Sequence, residues 1–455
     1  MKRFNIMKYI LILLSTTLLW GAGCDILNVD DRPDPNNTEL SAVLDNPNQA
    51  NLNTLIGGTL SGLRTDLGLW YVNHGMIGRE MYRFLSAEPR NTGDLLGKEN
   101  SQLDPGSFYS TRPWSAYYAN IRMTNILIQS ASNSESLSDA EANGVLGFAK
   151  TIQAYQYLLA LNLTNENGIR QQVGNDINAV GDPLSKAQAF DLIAGLLDEA
   201  VSDLNNAGES FFFTLPAGFS DFDTPESFLQ FNRGLRARVA AYMEDWPAAL
   251  DALTNSFIDP AGDLATGVYH DFTTNPNDQT NPVFADPQAG SGDSWVAHPS
   301  FVADAEANDT RIDEKAEFRV DENGDPNPAT LDGLTSSYGL AVYDSQTSPI
   351  PIIRNAELLL LRAEALAQRN DPGDLDAAEN DINVIRSAAG LNAFDSGGDQ
   401  AAVIDEMLNQ RRYELFFEGH RWVDMRRYDR LDQLPIDRPG DNVWVSFPIP
   451  EAENI

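Results

Sequence analysis

The chain has 455 residues, 31 Lys+Arg against 66 Asp+Glu, and a formal net charge of −35. An excess of acids on this scale opposes binding to nucleic acid, which requires basic surface to displace phosphate counterions. Apolar residues at 42% suffice for a large core, and a single cysteine rules out an intrachain disulfide framework or a Cys-rich zinc site. The four histidines (His74, His270, His298, His420) stand at no metal-ligand spacing, and no cofactor motif occurs.

Residues 1–23 read as an export signal. Lys2, Arg3 and Lys8 precede a short apolar run from Tyr9 to Trp20, and Gly21, Ala22 and Gly23 lead to Cys24. The run is shorter than the ~20 residues of a membrane-spanning helix. Residues 24–38 are polar and Pro-interrupted, as expected of a flexible tether. Removing 1–23, with its three bases and no acids, takes the net charge from −35 to −38. So acidic an exterior suits a salt-rich medium.

From residue 39 onward helical periodicity dominates. Apolar residues recur at i, i+3, i+4 and i+7 over 144–163, 186–204 and 227–243, and further helices are expected at 47–67, 113–131, 354–369, 374–389 and 400–417. An internal repeat is visible, since Leu235-Arg236-Ala237 recurs as Leu361-Arg362-Ala363 and Ala248-Ala249 as Ala377-Ala378. Both copies read as helix, tight turn, helix. Such hairpins cannot bury their faces alone and stack to share a core, as in tetratricopeptide repeats. The predicted fold is therefore all-α, a scaffold of tetratricopeptide-like hairpins with long irregular loop insertions and a few short strands. The main insertion is about 259–353, rich in Gly, Pro, Asn and Asp, and its aromatics (Tyr269, Phe272, Phe284, Trp295, Tyr338, Tyr343) predict that much of it packs down.

Two patterns invite chemistry. Asp321, Asn323 and Asp325 begin like a calcium loop, but Pro326 stands where such a loop needs Gly, so a solvated turn is the expectation. Residues 407–427, MLNQRRYELFFEGHRWVDMRR, alternate charges around Phe416, Phe417 and Trp422. This suits a salt-bridged helix junction turning at Gly419, the sharper alternative being a catalytic use of Glu418 and His420. No nucleophile or ligand set accompanies that pair.

The 407–427 run resembles the hallmark of the SusD/RagB family of surface nutrient-binding lipoproteins, whose members carry a run close to ERRRELAFEGHRWFDLRR. Residues 354–368, 375–391 and 447–455 and the Asp309-Thr310-Arg311 triplet resemble further family stretches, and LLWGAGC resembles a lipobox in which Cys24 is acylated. The resemblance implies a lipid-anchored protein of the outer membrane whose 39–455 region is one binding domain. It implies capture of an oligosaccharide or other nutrient for a SusC-like, TonB-dependent transporter, without catalysis and without a cofactor or metal. A periplasmic helical adaptor and a surface hydrolase are the rival readings. For ligand contacts, aromatics outside clean helical stripes come first: Trp70, Tyr71 and Tyr82 in LGLWYVNHGMIGREMYRF, and Trp295 in the insertion, with core packing the competing role of each. If Cys24 carries the anchor, Cys24→Ala shifts the protein from the detergent phase to the aqueous phase in a phase-separation assay; unchanged partitioning counts against acylation.

Overall fold

The computed structural model describes residues 44–171, 181–290 and 292–453; the segments read as signal (1–23) and tether (24–38), with Cys24, lie outside them. The helices are α1 (Gln49–Gly62), α2 (Leu67–Ile77), α3 (Phe108–Asn133), α4 (Asp139–Thr164), α5 (Lys186–Asn205), α6 (Pro225–Tyr242) and α7 (Trp246–Thr254). After them come the one-turn α8 (Pro299–Ala303) and α9 (Arg311–Lys315), then α10 (Asn355–Arg369), α11 (Asp374–Ala388), α12 (Gln400–Glu414) and α13 (Arg421–Arg427). Short strands are β1 (Met81–Phe84), β2 (Ile169–Gln171), β3 (Asp182–Leu184), β4 (Gly267–His270), β5 (Ser294–Ala297), β6 (Ala316–Phe318), β7 (Ala329–Leu331), β8 (Leu334–Ser336), β9 (Tyr338–Leu340) and β10 (Ile350–Arg354).

Helix starts follow local chemistry. Ser138, Ser185 and Thr224 each close a capping box with the residue three positions on, which satisfies backbone N–H groups that a helix end leaves free. Pro225 and Pro247 fall in first turns, where a missing N–H costs nothing. Consecutive helices then stack: α3 on α4, α4 on α5, α5 on α6, α6 on α7, and α7 on α10, which packs in turn against α11 and α12. Ala240, Ala249 and Ala365 meet where the two repeated hairpins touch, and the small side chains let the backbones approach closely. The repeated arginines do equivalent work, Arg236 reaching Asp198 at 3.2 Å and Arg362 reaching Asp381 at 2.5 Å, each on the neighbouring helix.

Helix α2 was not expected from periodicity. Nine of its eleven residues are buried, from Leu67 to Ile77, so there is no polar face and no stripe to read. The insertion holds most of the strands, including the two-stranded β7-β8 hairpin and three strands of a four-stranded sheet in the order β1-β5-β9-β6, whose β1 comes from the segment after α2. Phe272, Trp295 and Tyr343 are buried as expected, whereas Tyr338 keeps partial exposure.

Helix α12 ends at Glu414 rather than running on to 417, because Phe417 (φ 61°) and Gly419 (φ 84°) take left-handed conformations that turn the chain into α13. A Cβ on Gly419 would stand 2.1 Å from the Trp70 ring, so both the conformation and the space demand glycine. Gly419→Ala is expected to cost about 3 kcal/mol or more, from backbone strain and overpacking together, read as a lowered midpoint in urea unfolding.

Candidate functional site

The aromatic residues proposed as ligand contacts are core residues. Trp70 is buried, donates its indole N–H to the Leu159 carbonyl at 3.2 Å and lies 3.9 Å from the His74 ring. Tyr71 is buried beside it, with its hydroxyl 3.4 Å from the Pro351 carbonyl. Tyr82 stacks on Phe84 at 5.5 Å, and Trp295 is buried with the Arg83 guanidinium 4.7 Å above its ring. A sugar platform needs a free ring face. None of the four presents one, so the packing role replaces the ligand-binding one.

The 407–427 run forms the expected salt-bridged junction. Arg411 pairs with Asp424 at 2.7 Å, Arg427 pairs with Glu364 at 2.8 Å and with Asp424 at 3.0 Å, and Arg354 pairs with Glu414 at 2.7 Å and Glu418 at 2.8 Å. Lys315 donates to the carbonyls of Tyr413 (2.8 Å) and Glu414 (2.6 Å), tying α9 of the insertion to the end of α12. Burial opposes ionisation of Glu414, but Arg354, Lys315 and Arg311 outweigh it and hold its carboxyl at about 2. Glu418 is thus an arginine partner. His420 lies in the same core, 3.4 Å from the Tyr242 hydroxyl and 3.7 Å from Glu357, and burial with Arg238 and Arg411 nearby pushes it well below its ordinary value.

The exposed surface of the insertion is different. Phe318, 45% exposed, sits on the edge strand β6 directly across from Tyr338 of β9, and the rings meet edge to face at 5.6 Å. Close by, the β7-β8 hairpin and the 86–98 loop bound a cleft of about 480 Å³ that reaches Ser86, Pro89, Thr92, Lys98 and Leu331. Ser86 and Leu331 also line an adjoining recess of about 150 Å³ with Arg319, Asn327 and Thr330. The hairpin tip is pinned, because Asp332 pairs with Lys98 and, at 2.7 Å, with Arg438. Arg90 is paired with Glu88 at 2.6 Å, and Arg319 of the recess donates to the Pro287 and Ala289 carbonyls without a carboxylate partner among the described residues. The arrangement offers apolar faces, hydroxyls and amides with no concentrated charge, the chemistry of contact with an uncharged polyol.

Sequence reasoning missed Phe318. It shares a strand face with the buried Ala316, so alternation alone sends it inward, and only the sheet edge leaves it open. Asp321 accepts from the backbone N–H groups of Asn323 (2.8 Å) and Asp325 (2.9 Å), and Asp332 is held by Lys98 and Arg438. These carboxylates shape a turn and a brace.

The whole is a stack of helical hairpins that carries a strand-and-loop insertion with an open cleft. Residues 339–442 match the SusD family. A SusD-like protein of Formosa agariphila is 36% identical over 93 residues, which are 19% of this chain and 18% of that protein's length. Solved structures extend the likeness to the whole fold. Surface glycan-binding protein A of Bacteroides thetaiotaomicron aligns at 15% identity over 90% of this chain and 97% of its own, with a TM-score of 0.70. A SusD superfamily protein of Bacteroides vulgatus aligns at 17% identity over 89% and 96%, with a TM-score of 0.67. A protein described as a laminarin-binding SusD-like protein aligns at 16% identity over 90% and 97%, with a TM-score of 0.63. The likeness is thus to the SusD family over residues 339–442 and to the fold of SusD superfamily structures over nearly the whole chain.

Buried titrating groups make the fold sensitive to acid. Burial pushes His74 and His270 down to about 3 and His420 also far down, so all three are neutral in the folded protein. Burial lifts Glu80 up to about 8, against the Phe417 N–H bond to its carboxylate. Near pH 5.5 the unfolded chain protonates the three imidazoles and ionises Glu80. Unfolding there takes up about two protons net from these four groups, and stability falls as pH drops from 6.5 towards 3. In Glu80→Gln that uptake rises by about one proton, measured from the pH dependence of the unfolding midpoint.

Proposed function

We propose that this protein is a surface lipoprotein, anchored through Cys24, that captures an uncharged oligosaccharide and passes it to a TonB-dependent outer-membrane transporter. Residues 1–23 are removed on export, 24–38 serve as the tether, and 39–455 act as one binding domain. Ligand is held and handed on without a bond being broken.

The observation that carries this reading is the match of 339–442 to the SusD family. The solved relatives support the ligand class: a second structure of surface glycan-binding protein A, with a TM-score of 0.69 to this chain, is described in complex with laminarihexaose. An uncharged ligand is supported by the pairing of Arg90 and Lys98 in the cleft with acids and by the charge of −35 on the chain. An anionic polysaccharide would meet repulsion with little local compensation. Phe318 and Tyr338 are assigned as the aromatic platform, with Ser86, Asn327 and Thr330 as hydrogen-bonding groups of the cleft and its recess.

Calorimetric titration with a panel of neutral oligosaccharides, laminarihexaose among them, tests this. At least one is expected to bind, with Phe318→Ala and Tyr338→Ala each weakening affinity about tenfold, equivalent to ~1.4 kcal/mol, while thermal stability is unchanged. Preference for charged glycans, or release of shortened products from a polymer by the purified protein, would overturn the reading.

A further inference from the structure

The recess of about 150 Å³ that adjoins the cleft has a composition of its own. Its lining combines the apolar Phe84, Pro328, Ala329 and Leu331 with the buried polar side chains of Arg319 and Ser294. Ser86 and Leu331 belong to both cavities, so a chain lying in the cleft can send a side group into the recess.

Arg319 is 3% exposed, and a guanidinium carries five N–H donors. Three are met, by the carbonyls of Asn327 (3.4 Å), Pro287 and Ala289 (2.6 Å). The others remain on a side chain that lines the recess. Ser294 directs its own proton to the Gly290 carbonyl at 2.8 Å and so adds no buried donor for a guest. A group seated here must present an acceptor to Arg319 and apolar surface to Phe84 and Leu331. Size narrows the choice, since a dry cavity of roughly 150 Å³ suits a benzene-sized guest. A sugar hydroxyl fills little of that space, and a whole pyranose with its hydroxyls exceeds it. An acetyl group, with the heteroatom and ring carbon that carry it, comes to about five heavy atoms and fits. A carboxylate fits by size as well, but the cleft beside the recess holds Asp94, bonded to Tyr109 and to no cation among the described residues, and the chain carries −35. That field favours an uncharged acceptor.

We infer that the recess is an acyl subsite, which takes the acetyl group of an N- or O-acetylated neutral sugar. The carbonyl oxygen accepts from Arg319, and the methyl packs against Phe84 and Leu331. This rests on the neutral-oligosaccharide reading of the cleft and narrows it to acetylated chains.

Calorimetric titration of matched pairs is the test. Chitohexaose is set against cellohexaose, which has hydroxyl in place of acetamido, and acetylated xylo-oligosaccharides are set against the same chains after alkaline removal of acetyl. In at least one pair the acetylated member is expected to bind about tenfold more tightly, and which pair it is tells the N-linked from the O-linked source. Ala329→Phe, which fills the recess and leaves Arg319 in place, is expected to bring that ratio to about one. Arg319→Lys, which keeps the charge and loses the planar fork, is expected to lower it too. An unchanged ratio in Ala329→Phe overturns the proposal. Equal binding within both pairs, or binding of laminarihexaose while neither acetylated chain binds, overturns it and leaves the neutral-glycan reading standing. No binding by any neutral chain, or tighter binding of an oligogalacturonate than of every neutral chain, overturns both.

Discussion

Arginine–carboxylate pairing around the α12–α13 turn is the constraint on which the rest of the architecture depends. Buried ion pairs of this kind add little net stability over apolar packing, but removing one partner costs ~3–5 kcal/mol because a charge is left stranded. What the network contributes is position. Arg354 ends β10 and begins α10, Lys315 and Arg311 come from the insertion, and Glu414 and Glu418 come from the turn itself. Arg238 of α6 joins from the other hairpin through Glu357 at 2.6 Å. Helical scaffold and irregular insertion are thus fixed to each other by directional bonds. The sheet that carries Phe318 and Tyr338 inherits its placement from them.

Legibility in the sequence followed the physics of burial. Helices α5, α7, α11 and α12 keep a solvated side, so their periodicity was plain, and α4 and α10, though buried over most of their length, are long enough for their apolar runs to read as helix. The 407–427 run announced a salt-bridged junction because its charges have no other use around buried Phe416, Phe417 and Trp422. Helix α2 was opaque for the converse reason, being wrapped on all sides. The same wrapping misled the ligand assignment: Trp70, Tyr71 and Tyr82 lacked a stripe because they are buried, whereas loop-borne aromatics were the expectation. Trp295 was drawn inward by the sheet that the insertion builds. Exposure of Phe318 is decided by strand order, which no local pattern encodes.

The placement of cations also sharpens the meaning of the net charge. Arg79, Arg238, Arg311, Arg319, Arg354, Arg386 and Arg411 are all buried, while most carboxylates stay outside. Nine carboxylates are buried with these seven arginines among the described residues, so the buried charges nearly cancel and almost all of the net charge falls on the outer surface. Screening by salt weakens repulsion among exposed acids and hardly touches the buried pairs.

The contact between the α2 region and the turn at Gly419 also bears on how the molecule is assembled. The hydrogen bond from Phe417 to Glu80 spans 337 positions of sequence, and Arg79 reaches the Pro435 carbonyl across 356. Helix α2 meets α3 and α4 early, through Asn73 and Trp70, but its side towards Gly419 is covered only when almost the whole polypeptide is present. Hairpins from α3 to α7 contain local partners and can form early, but the seam that joins first and last segments closes late, against a large loop-closure entropy. An unfinished chain therefore leaves that side of α2 open, and the hazard persists until both ends of the molecule can meet.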